Sequence, residues 1–69
     1  MSAVLRVNGR DEPLVVDTVA ALLAAHGVDD GARGVAVALN GAVLPRRRWA
    51  DTALQPGDSL EIVRPIQGG

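Results

Sequence analysis

The chain has 69 residues, no cysteine, one histidine and a formal net charge of −1. These values exclude a disulfide framework, a thiolate metal site and a cysteine nucleophile, and they fit poorly with nucleic-acid binding, which uses a basic patch and stacking aromatics. Hydrophobic residues make up 48% of the chain, enough for a core, and that core must be aliphatic because Trp49 is the only aromatic residue.

A chain of this length is one domain. Its first residues, MSAVLRVNGRDEP, lack the basic stretch and apolar run of a signal peptide. The longest apolar run, Val19 to Ala25, is far short of the roughly 20 residues of a membrane span. The expectation is a cytoplasmic protein that contacts neither membrane nor nucleic acid.

The first predicted strand is AVLRVNG (Ala3 to Gly9), with Ala3, Leu5 and Val7 on one face. Asn8-Gly9 signals a two-residue hairpin turn whose central positions both take positive φ. The run PLVVD (Pro13 to Asp17) reads as the returning strand, with Pro13 at its start or on an edge because it has no N–H to donate. A helix follows in TVAALLAAHG: Thr18 or Asp17 can cap it, Val19, Leu22 and Leu23 form its apolar stripe, and Gly27 ends it.

Asp29 to Gly34 reads as a loop, and VAVALN (Val35 to Asn40) alternates as a half-buried strand. Asn40-Gly41 is a second hairpin signal, leading to a short strand AVL (Ala42 to Leu44) that Pro45 terminates. RRRWADTAL (Arg46 to Leu54) has no strand alternation and predicts a turn of helix or an irregular crossing. Gln55-Pro56-Gly57-Asp58 fits a type II turn. SLEIVR (Ser59 to Arg64) is the last strand, with Leu60 and Ile62 inward, and Pro65 stops it.

The chemistry-bearing residues are few. His26 falls on the core-facing side of the last helical turn, where it covers the core edge or, as imidazolium, complements the helix C-terminus. The pairs Asp11-Glu12 and Asp29-Asp30 adjoin turns, where carboxylates are solvated. The glycines follow no phosphate-loop spacing. No catalytic or metal-binding set emerges, and no cofactor is expected on the chain.

The tail points elsewhere. Pro65 to Gly69 reaches about 17 Å when extended. Gly68 and Gly69 carry no side chains, so a narrow channel in a partner could close directly on their backbone. Holding such residues costs about 1–2 kcal/mol each, to be offset by main-chain hydrogen bonds from the partner. A terminus of this kind suits delivery of the Gly69 carboxylate, with Ile66, Gln67 and Gly68 threading into a partner's active site.

The whole sequence resembles the ThiS family, the sulfur carriers of thiamine biosynthesis, within the β-grasp or ubiquitin-like superfamily. The resemblance rests on VNG (Val7 to Gly9), TVAALL (Thr18 to Leu23), the set Asn40, Gly41, Val43, Pro45, Arg46 and Trp49, the turn in LQPGDSLEIV (Leu54 to Val63), and QGG (Gln67 to Gly69). It implies an α+β β-grasp fold, a mixed four- to five-stranded sheet packed on one short helix. The first and last strands would lie parallel in its centre. Residues 1–65 would form the domain and residues 66–69 a flexible tail.

It also implies that this chain is not an enzyme. An adenylating (E1-like) partner using ATP and Mg would activate the Gly69 carboxylate. Sulfur from a donor such as a cysteine desulfurase would convert it to a thiocarboxylate, and thiazole synthase would receive that sulfur. Arg46, Arg47 and Arg48, with Trp49, form a candidate docking patch, against the plainer reading of a solvated charged run and a core-plugging tryptophan. All seven basic residues are Arg, so the chain has neither a Lys amine nor a Cys thiol to capture an activated carboxyl group. Alternative readings are a molybdopterin-pathway sulfur carrier, a ubiquitin-like protein modifier, and a passive binding module.

Overall fold

The computed structural model describes residues 3–28 and 33–65. The tail residues Ile66, Gln67, Gly68 and Gly69, and most of the predicted 29–34 loop, lie outside the described residues.

The chain begins with a hairpin of β1 (Val4–Val7) and β2 (Arg10–Pro13). Asn8 at φ 51 and Gly9 at φ 82 make its turn, as expected of an Asn-Gly pair. The second strand, however, lies earlier than its apolar content suggests. The two-residue turn sets Val7 opposite Arg10, so pairing runs from Arg10 to Pro13 and the apolar run Leu14-Val15-Val16 falls beyond the strand. Turn geometry fixes the register here. Pro13 therefore ends the strand rather than starting it, and β2 lies on the sheet edge.

Helix α1 spans Val19–Ala25. Its first amide groups are all satisfied within the protein. Val19 N–H donates to Thr52 O, Ala20 N–H to Trp49 O and Leu22 N–H to Thr18 O, each at 3.0 Å. Ala21 N–H donates to Thr18 Oγ1 at 3.2 Å, which makes Thr18 the cap. Gly27, at φ 84, turns the chain off the helix end.

Next come β3 (Ala36–Leu39) and β4 (Ala42–Val43), joined through Asn40-Gly41. Arg46–Arg48 form a short 3₁₀ turn, the turn of helix that was one of the two expectations for this segment. The Gln55-to-Asp58 turn is closed by Asp58 N–H donating to Gln55 O at 3.1 Å. β5 (Ser59–Val63) completes a five-stranded sheet of order β2-β1-β5-β3-β4. β1 and β5 run parallel, and the other neighbouring pairs are antiparallel. This is the mixed sheet with one helix that the sequence led us to expect.

The core is aliphatic with one aromatic. Leu5, Val7, Val37, Leu60 and Ile62 from the sheet join Val19, Leu22 and Leu23 of α1, together with Val28, Trp49 and Leu54. The strand alternation leaves Val4, Val43 and Val63 among the exposed large hydrophobic residues.

Candidate functional site

Two regions carry the residues singled out in the sequence: the 3₁₀ turn with its tryptophan, and the end of β5 where the C-terminal segment begins. In the first, Trp49 follows Arg46–Arg48 directly. The residue is 4% exposed and belongs to the core cluster. Its indole Nε1–H donates to Leu44 O at 3.0 Å, so the polar end of the buried ring is paired. The Arg46 guanidinium lies 4.8 Å from the ring centroid, within cation–π range. Arg47 and Arg48 are exposed.

This separates the four residues grouped as a docking patch. The three arginines present charge to solvent, whereas Trp49 contributes to that surface only as the platform beneath Arg46. The same segment also supplies carbonyls to the first turn of α1. Moving Trp49 would therefore disturb both the core and the helix start.

At the end of β5, Arg64 and Pro65 are the last described residues. An Arg64 Nη2–H donates to the backbone carbonyl of His26, the C-cap of α1. The His26 ring has a separate partner, with Nε2 2.9 Å from Glu12 Oε1 on β2. The histidine expected to cover the core edge or the helix end is therefore a junction. Its ring meets an edge strand and its carbonyl meets the residue after β5. Nothing in the sequence alone announces the Arg64 contact, because its acceptor is a main-chain carbonyl 38 positions away.

Among the described residues, no group of three or more His, Cys, Asp or Glu side chains could hold a metal ion. None of the described helices is long and apolar enough to cross a membrane. The five-stranded mixed sheet with parallel β1 and β5, one helix behind it and a C-terminal segment leaving β5 is the framework implied by the resemblance.

The ThiS family pattern matches residues 5–69. The chain belongs to the ThiS family. Members of this family are non-catalytic sulfur carriers of thiamine biosynthesis with a β-grasp fold. The crystal structure of a thiamine biosynthesis protein (ThiS) from Geobacter metallireducens superposes with a TM-score of 0.76 at 35% identity, covering 96% of this chain and 99% of that one. An NMR solution structure of a thiamine biosynthesis protein from the same organism gives a TM-score of 0.72 at 38% identity, covering 100% of this chain and 88% of that one. A protein named thiazole synthase from Paramagnetospirillum magneticum is 42% identical over 66 residues, which is 94% of this chain. The ThiS-like chain spans only 20% of that relative's length.

Proposed function

We propose that this ThiS-family chain carries sulfur as a thiocarboxylate on Gly69 and delivers it to a thiazole synthase. The observation that carries this reading is the family match, which runs through residue 69 and thus includes the Gly68-Gly69 pair. The chemistry requires Gly69 to have a free α-carboxyl group. An adenylating partner joins that carboxylate to the α-phosphate of Mg-ATP and releases pyrophosphate. A sulfide equivalent, supplied through a donor such as a cysteine desulfurase, attacks the acyl carbon. The bond to AMP breaks, leaving the thiocarboxylate and AMP. This chain contributes the carboxyl group and the surface that presents it, while ATP and Mg belong to the partner.

Similarity to part of a protein named thiazole synthase supports thiazole synthase as the recipient, since a carrier and its acceptor profit from being held together. Residues 66–69 act as the threading segment of a domain formed by residues 1–65. Arg46, Arg47 and Arg48 pair with acidic groups on a partner, with Trp49 supporting Arg46 from below.

Reconstitution tests the assignment. The chain, an adenylating enzyme, ATP, a sulfide source and thiazole synthase with its small-molecule substrates should yield thiazole product. A chain lacking Gly69 should yield none. Equal product from the shortened chain would reject the role given to Gly69.

A further inference from the structure

The residues just before the C-terminal segment are held in place by two contacts on consecutive positions. Arg64 donates to the His26 carbonyl. That carbonyl belongs to the C-cap of α1, where a cation also complements the helix end. The next residue, Pro65, lies against Gly34: a Cβ placed on Gly34 would come within 3.2 Å of Pro65 Cγ. Gly34 has φ +75, so its backbone conformation and the proline ring above it both disfavour a side chain. The acceptor of Arg64 is itself fixed. The His26 N–H donates to Leu22 O and Leu23 O, and its ring meets Glu12 on β2.

β5 ends at Val63, so neither Arg64 nor Pro65 is held by the strand ladder. Among the described residues, the Arg64 side chain bonds to the helix end and the Pro65 ring lies against residue 34.

We propose that Arg64 and Pro65 form an anchored root for the C-terminal segment, with the His26 carbonyl and Gly34 as its points of contact, and that Arg64 is a positioning residue for presenting Gly69 to the adenylating enzyme. The inference rests on the carrier reading above. Its physical content is preorganisation. With the root in place, Arg64 and Pro65 are already positioned when the chain docks; with it released, the fixed end of the chain retreats to Val63 and these two residues must be ordered on docking. Each additional residue ordered on binding weakens association by roughly five- to thirtyfold, and a longer tether also dilutes its end. The carboxyl chemistry itself is unchanged.

Arg64→Ala removes the first contact from an exposed position, and Pro65→Ala removes the ring against Gly34. Two readouts decide the proposal. The first is the ¹⁵N heteronuclear NOE of the Arg64 backbone amide in the free chain, which needs no partner. The second is ATP–pyrophosphate exchange by the adenylating enzyme as a function of carrier concentration.

The anchored root predicts that Arg64→Ala lowers the NOE at Arg64 while the β5 amides keep theirs. Because Arg64→Ala releases one of the two root residues and leaves Pro65 against Gly34, it also predicts a KM for the carrier roughly five- to thirtyfold higher, with kcat within about twofold of the parent. Pro65→Ala moves both readouts in the same direction. An unchanged NOE in Arg64→Ala overturns the proposal, even if KM rises, because Arg64 would then be touching the partner directly. A lowered NOE with an unchanged KM overturns the positioning role. Absence of exchange with the unaltered chain counts against the carrier reading instead, and the NOE still decides whether the root is anchored.

Discussion

The side-chain oxygen of Asn8 accepts the amide of Ile62 at 2.7 Å, joining residues 54 apart in the chain. Asn8 therefore has two roles. Its backbone, at φ 51, makes the β1–β2 turn, and its side chain extends the β1–β5 ladder beyond the last paired residues, Val7 and Leu60. Asn40 repeats the device on the other side of β5, accepting the Ser59 amide on Oδ1 at 2.9 Å while turning β3 into β4. Both Asn-Gly turns thus stitch the strand that leads to the C-terminal segment.

The first prediction isolates that second role. Asn8→Gly accepts positive φ without strain but leaves the Ile62 amide without its acceptor, at a cost of about 1–3 kcal/mol. For a domain of this size, each 1 kcal/mol lowers the melting temperature by roughly 4–8 °C. Thermal unfolding of Asn8→Gly should show that loss. A melting temperature equal to the parent's would mean that the side-chain bond adds nothing.

Trp49 is predicted to matter through the core. Trp49→Ala should cost about 3–5 kcal/mol, a large part of the roughly 3–10 kcal/mol available to a chain of this length. Trp49→Phe keeps an aromatic filler but loses the Nε1–H donor to Leu44 O, and should fall between the two. Urea unfolding measures the series. A loss below about 1 kcal/mol for the alanine variant would contradict the core assignment.

The arginine patch makes a prediction about partners. Arg47→Glu with Arg48→Glu alters exposed charge and should leave unfolding nearly unchanged, while kcat/KM for activation falls several-fold at low ionic strength. The gap should narrow as salt is raised, because the Debye length shrinks from about 10 Å at 0.1 M to 3 Å at 1 M. A salt-independent deficit, or none, argues against docking through these residues.

The absence of lysine and cysteine yields a fourth prediction. An acyl adenylate on Gly69 meets no side-chain amine or thiol on its own chain or on another copy. Ile66→Lys or Gln67→Lys should therefore give a self-linked by-product during activation, visible as loss of water by mass or as a covalent dimer on a denaturing gel. Clean activation of both variants would show that the composition has no protective effect.

What could be read from the sequence was what depends on near neighbours. Asn8-Gly9, Asn40-Gly41, the Thr18 cap and the turn at Gly57 each follow from a local φ requirement or a hydrogen bond a few residues away. Leu60 and Ile62 turn inward as the unbroken alternation on β5 predicts. Apolar content points to a strand over Leu14-Val15-Val16, whereas the two-residue turn dictates a register that ends β2 at Pro13. Leu14 and Val16 do pack against the core edge, but from beyond the strand, and Val15 is 82% exposed. The contacts of Asn8 with Ile62 and of Arg64 with His26 were not legible at all. Both link residues remote in the chain, and in each case the partner is a main-chain group, an N–H that every residue but proline offers or a carbonyl that every residue offers.

The central claim is that Gly69 bears the transferred sulfur, and intact mass spectrometry tests it most directly. After incubation with the adenylating enzyme, ATP and a sulfide source, the chain should gain the mass of one sulfur replacing one oxygen, and fragmentation should place the change on Gly69. An unchanged mass, with an enzyme shown to be active and the C-terminus intact, would contradict the account.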